Sequence, residues 1–221
     1  MAYKGFISYA QGDREIAGQV KDELADYGIN GFLAHEDLEP TVQWQEEITK
    51  HLKACDLFIP LISERFRESK WTDQEVGMAV AWKKKMVPLL LDKTTSYGFI
   101  SKYQATKIDV ANLQTRLLSI ITKLGDDKKF GATITDGLIM AFADSASFDE
   151  AGRRANAILR KNGALTRDQL NSIVEASVNN NQISYGWDAK AAINEIIKDH
   201  PNIDAKLVKR FRQATGEIEF D

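Results

Sequence analysis

The sequence predicts a flavodoxin-like α/β sandwich, a five-stranded parallel sheet over about residues 1–125, followed by a small all-α bundle over about residues 126–221. Three observations carry that prediction. Short β-prone apolar runs alternate with helical patterns through the first part of the chain, and right-handed crossovers then place helices on both faces of a parallel sheet. One of those runs, Asp56 to Ile62, is almost continuously apolar, as a strand buried on both faces should be. After the polar break from Gly125 to Lys129 the alternation stops and only helical patterns remain.

In chain order, Tyr3 to Tyr9 reads as the first strand, and Gln11-Gly12-Asp13 supplies turn and helix-start chemistry. Ile16, Val20, Leu24 and Tyr27 then recur at helical spacing until Gly28 ends the helix. Ile29 to Leu33 is the second strand, and a polar loop from Ala34 to Val42 leads to a helix carrying Trp44, Ile48, Leu52 and Cys55. The strand from Asp56 to Ile62 is followed by a helix from about Trp71 to Lys84 and by a fourth strand from Met86 to Leu91. Gln104 to Val110 is a weaker fifth strand, before a helix containing Leu113, Leu117, Ile120, Ile121 and Leu124. Beyond the break, helices are expected at about 132–144, 148–162, 166–179, 187–199 and 204–214. Capping-box signatures stand at Ser147/Glu150 and Thr166/Gln169, a stop at Asn162-Gly163, and Asn179-Asn180-Asn181 reads as a helix-ending loop. Ile158, Leu159, Leu165, Leu170, Ile173, Val174 and Val178 supply apolar positions for a bundle core.

Composition narrows the function. With 221 residues, 43% hydrophobic and 28% charged, disorder and collagen are excluded. A net charge of -3, with no basic run longer than Lys83-Lys84-Lys85, argues against a nucleic-acid binder. Those lysines end a helix, where cations complement the dipole. The lone Cys55 is expected to pack, and His35, His51 and His200 lack the spacing of a metal site. The run from Phe6 to Ala10 is too brief for a signal-peptide core, and no apolar stretch is long enough to span a membrane, so a cytoplasmic protein is expected.

In an open parallel sheet, ligands sit beyond the carboxyl ends of the strands. The residues there are Ser8 to Gly12, the loop from Ala34 to Thr41 with His35 and Asp37, Ser63-Glu64, and Asp92. The first turn opens onto a helix N-terminus, which suits a phosphate, although Ser8 and Gln11 can equally serve the turn's own backbone. In Trp71-Thr72-Asp73-Gln74-Glu75, Thr72 and Glu75 fit a capping box. The same spacing sets a carboxylate one helical turn from an indole, where it can face the strand-end cleft.

Phe6-Ile7-Ser8-Tyr9, Asp13, Leu24…Gly28-Ile29…Phe32, Trp44…Ile48, the run from Asp56 to Ser63, and Trp71-x-x-x-Glu75 occur in an order that resembles a bacterial TIR (Toll/interleukin-1 receptor) domain of the NAD-cleaving type. The resemblance covers about 125 residues. It implies one of two activities: cleavage of the nicotinamide–ribose bond of NAD+, or scaffolding between proteins in signalling. In the enzymatic branch the glutamate four residues after the tryptophan is catalytic, and it maps onto Glu75. Ser8, Tyr9 and Trp71 then bind substrate, with Tyr9 and Trp71 bounding the cleft by stacking and the turn after Ser8 approaching the diphosphate. Ala34-His35 and Pro40-Thr41 depart from the acidic residue and Pro-Gly that many NAD-cleaving members carry, leaving Asp37 as the candidate for the acidic position. In that branch the resemblance implies NAD+ as substrate, so no separate cofactor and no metal are expected. The resemblance further implies self-association through TIR domains, an activating protein or downstream effector, and a place in antiphage defence, with the helical region as a sensing or assembly module. The alternative is a non-catalytic TIR adaptor acting through the loop at 34–42. A nucleoside-processing enzyme of related fold is a more distant third.

Overall fold

The structure, a computed structural model, describes residues 3–33, 44–128 and 131–217. Its contacts separate two compact units, residues 1–117 and 118–221, a division inside the last helix of the α/β region rather than at the polar break after it.

In the α/β unit, strand β1 (Tyr3–Ser8) leads through a short turn at Gln11–Asp13 into helix α1 (Arg14–Ala25). Gly28, with φ of +72°, returns the chain into β2 (Ile29–Leu33). Then come α2 (Trp44–Ala54), β3 (Leu57–Ile62), α3 (Glu64–Glu68), α4 (Lys70–Ala81), β4 (Lys85–Met86), β5 (Leu89–Leu90), β6 (Thr106–Lys107) and α5 (Leu113–Leu124). All strand pairs are parallel, in the order β2-β1-β3-β5-β6 with β4 also beside β3. Strand order therefore reverses between β1 and β3, which places the ligand crevice of such a sheet at their carboxyl ends. Every residue of β3 is buried, and Phe6 stacks on Phe58 with ring centroids 5.8 Å apart.

The expected fourth strand is present in two pieces. Leu57 and Phe58 pair with Lys85 and Met86, and Leu61 and Ile62 with Leu89 and Leu90. The gap between them holds Pro60 and Pro88, neither of which has an N–H to donate to a ladder. The fifth strand shrinks to two residues for want of longer pairing.

Helix α3 was not expected. Ser63 caps it by accepting the Phe66 N–H, and Ser69, not Thr72, caps α4. That helix ends at Ala81, and Lys83, at φ +54°, turns the chain out of it. Lys84 consequently serves a different helix end. Its Nζ donates to the carbonyls of Lys53 at 2.6 Å and Cys55 at 2.8 Å, at the C-terminus of α2.

The helical unit contains α6 (Gly131–Ala143), α7 (Phe148–Leu159), α8 (Arg167–Asn179), α9 (Asn181–Ser184), α10 (Trp187–Asp199) and α11 (Ala205–Ala214). Its core includes Leu138, Phe142, Ile158, Ile173, Ile193 and Phe211, while the expected core residues Leu159, Leu165 and Val178 are only half-buried. Thr166 and Gln169 form the full reciprocal box. At Ser147 the box is incomplete, because Glu150 turns to the Ala146 N–H and to Arg154 instead. The asparagine run is more than a loop. Asn180 donates to the carbonyls of Ala143 and Ser145, and its Oδ1 accepts the Gln182 N–H to cap α9.

Candidate functional site

The site forms where β1 ends and α4 begins. Ser8 is the last residue of β1, in register with Pro60 of β3, and is fully buried. Its hydroxyl donates to Glu75 Oε2 at 2.5 Å, joining residues 67 positions apart in the chain. Glu75 reaches this point because α4 is pinned at its start. The Thr72 hydroxyl donates to the carbonyls of Phe66 at 2.6 Å and Ser69 at 2.8 Å, locking the α3–α4 corner. One turn later Glu75 points inward, 3% exposed. The expected Thr72/Glu75 capping box does not form: both residues lie inside the helix, and the glutamate bonds across to Ser8 instead.

Burial pushes the Glu75 carboxyl up to about 7, and the Ser8 hydrogen bond opposes part of that rise. Such an acid takes up or gives up its proton near neutral pH, as a group at a reactive site needs to.

A second polar cluster lies at the end of β3 and the turn after β1. The Ser63 hydroxyl donates to Asp13 Oδ2 at 2.5 Å, and Arg65 Nη1 reaches Asp13 Oδ1 at 3.0 Å and the Gly12 carbonyl at 3.3 Å. Asp92, just beyond β5, accepts the backbone N–H groups of Glu64 at 2.9 Å and Thr94 at 2.7 Å. Hydrogen bonding from Thr94 chiefly holds its carboxyl below the usual carboxylate range, and Arg65 adds a smaller electrostatic contribution. Sequence reasoning singled out Asp13, Ser63 and Asp92 separately. Arg65 was missed; the signal was Ser63-Glu64-Arg65-Phe66, a cap followed by a short helix that points an arginine back over the glycine turn.

Trp71, four residues before Glu75 and so on the same side of α4, is 39% exposed. Tyr9 differs from expectation. It is buried, so its ring offers no exposed stacking face. Cys55 is buried with its thiol pushed up to about 11, mainly by burial, and donates to the Leu52 carbonyl, which fits packing rather than nucleophilic work. Asp37 and His35 lie outside the described residues. Among the described residues no helix is long and apolar enough to cross a membrane.

A parallel sheet in this order, with a buried acid bonded to the serine that ends its first strand, defines a flavodoxin-like α/β domain with a carboxylate at its switch point. The TIR domain family model matches residues 6–117, and the chain belongs to that family. It is 27% identical over 92 residues to BdTIR of Brachypodium distachyon, named as a probable 2' cyclic ADP-D-ribose synthase, a match covering 41% of each chain. The matched stretch thus spans about two-fifths of that relative's length. The TIR domain of the Toll-related receptor TRR-2 from Hydra magnipapillata is 18% identical at a TM-score of 0.48, covering 55% of this chain and 98% of that one.

Proposed function

We propose that this chain cleaves the nicotinamide–ribose bond of NAD+, with Glu75 as the catalytic carboxylate, giving nicotinamide and ADP-ribose or a cyclic isomer. The observation that carries the reading is the buried Glu75–Ser8 pair at the strand ends. A sugar alkoxide needs an acid to help it leave, so ordinary glycosidases use two carboxyl groups. Nicotinamide departs from a pyridinium as a neutral molecule, taking the bonding electron pair with it, so one carboxylate suffices. Ionised, Glu75 faces the oxocarbenium charge that develops on the ribose, an attraction stronger in the transition state than in the ground state. Water attack then gives ADP-ribose and a proton; attack by the substrate's own adenine or ribose closes a ring. The positive pyridinium also favours the ionised form of Glu75 on arrival. Trp71 supplies a rim surface for a planar group, and Ser8 orients the carboxylate.

At 3% exposure, Glu75 meets a nucleotide only after the surrounding chain moves. This fits turnover that depends on association of TIR domains, with the helical region as the assembly or sensing module. Depletion of NAD+, or release of a cyclic nucleotide, would arrest an infected bacterial cell, the setting this reading proposes. The test is to incubate the 221-residue chain at high concentration with NAD+ and identify products by mass beside Glu75→Gln. Nicotinamide release that vanishes in the variant is expected. Turnover that survives removes Glu75 from the chemistry, and absence of turnover at every concentration favours the adaptor reading.

A further inference from the structure

We propose that Arg65 binds the diphosphate of the dinucleotide at the ends of β1 and β3; the inference rests on the NAD+-cleaving reading of the neighbouring Glu75. Four observations converge. Arg65 belongs to α3, which starts directly after β3, so it projects at the carboxyl edge of the sheet where the switch point lies. Its side chain is 67% exposed, yet it is anchored rather than free in solvent, since Nη1 holds both the Gly12 carbonyl and Asp13. Asp13 is itself buried and fixed by the Ser63 hydroxyl, so the guanidinium is held by a rigid base. A guanidinium carries five donors, and Nη1 makes both hydrogen bonds, to Gly12 and Asp13; Asp92 acts on the group electrostatically, and among the described residues the Nε and Nη2 edge has no hydrogen bond to protein, so it suits a planar bidentate acceptor such as a phosphate.

Gly12 shows how closely the arginine lies on the turn. A Cβ at that position would stand 2.8 Å from Arg65 Cδ and 3.1 Å from Nε, so only glycine lets the side chain lie flat there. The guanidinium and the glycine turn thus lie together at the carboxyl edge of the sheet, where β1 ends in Ser8. In the proposed pose the reacting ribose meets Glu75 and the diphosphate lies on this cluster, at the same carboxyl edge of the sheet. The chain accordingly needs no basic patch to hold an anionic substrate.

The test uses the full chain and ADP-ribose, which carries the diphosphate but no scissile bond, with adenosine as the control lacking phosphate. By titration calorimetry, Arg65→Ala should weaken ADP-ribose binding by about tenfold or more, while leaving adenosine unchanged. Gly12→Ala, which keeps the arginine but lifts it from the turn, should weaken ADP-ribose in the same direction. Arg67→Ala, on the same short helix but set over the Tyr97 ring, should leave it unchanged. Glu75→Gln should retain ADP-ribose binding even as turnover is lost. Equal ADP-ribose affinity in wild type and Arg65→Ala overturns the inference, as does failure of the wild type to bind ADP-ribose. Binding that depends on Arg65, together with turnover indifferent to Glu75, overturns the catalytic reading alone.

Discussion

The two units bury charge in different ways. In the helical unit, Arg154 is enclosed against Glu150, whose Oε1 lies 2.7 Å from Nη2, and donates from Nη1 to the Ala141 carbonyl at 2.9 Å. The buried Lys161 likewise meets Asp126. In the α/β unit, Asp13 has Arg65, but among the described residues Glu75 is bonded to a neutral hydroxyl. A buried ion with its counter-ion is a fixture of the fold. A buried acid beside a serine holds its proton more tightly than a free carboxyl does, and it gains by ionising when a cation such as a pyridinium arrives. Burial alone therefore does not distinguish a structural charge from a reactive one; the partner does.

The sharpest way to break this contrast is to remove each charge and measure stability. Arg154→Ala should destabilise the helical unit by about 4 kcal/mol, because Glu150 and the α6 carbonyl lose their partner in a part-buried place. Urea unfolding that shows little loss would make the ion pair dispensable. Glu75→Gln should do the opposite. Its carboxyl sits at about 7 in the fold against an ordinary 4.5, so the folded chain holds the proton more tightly than the unfolded one. Stability contributed by that proton is complete below about 4.5 and is lost as pH rises toward 7. Glutamine mimics the protonated acid, so the variant should match wild type at about pH 4 and exceed it by about 3 kcal/mol at about pH 8. A variant less stable than wild type at the higher pH would show that the ionised glutamate is well accommodated.

Smaller effects refine the picture. In wild type, kcat/KM should rise with pH to a plateau above about 7, as Glu75 loses its proton. Ser8→Ala removes the bond that favours the carboxylate, so the inflection should move upward and activity at about pH 7 fall about tenfold. An unmoved inflection would separate Ser8 from the titration. Lys84→Met, which removes the ammonium bonded to the Lys53 and Cys55 carbonyls, should cost about 1 kcal/mol with activity unchanged.

Much of this was legible in the sequence. The β2 strand and α5 appear at the expected residues because hydrophobic period and turn chemistry agree there. In the bundle, α7 and α8 start at their capping residues Ser147 and Thr166, and α10 spans the expected residues. What escaped were features decided by distant partners. Thr72 and Glu75 satisfy a capping box as letters, yet Ser69 caps the helix ahead of Trp71, and Ser8 takes the carboxylate. The α3 helix is too short to show a period, and the Arg65 anchor joins residues some fifty positions apart. Tyr9, which the family resemblance implies as a cleft wall, is buried instead, because both sides of β1 are covered and the residue after it packs inward.

Pro60 and Pro88, opposed at one register, make the sheet mechanically unequal. On one side of β1 and β3 the ladders run for five and four residue pairs, while β4, β5 and β6 are held by two-pair rungs. Amide exchange should accordingly be slowest in β1 and β3, at the rate of global opening, and faster by local fluctuation in β5 and β6. Asp92 hangs from the end of β5 and ties its loop to the first amide of α3. The sheet thus has a hard half that keeps Ser8 and Ser63 in place and a soft margin beside them, whose breathing can widen the crevice without loosening its floor.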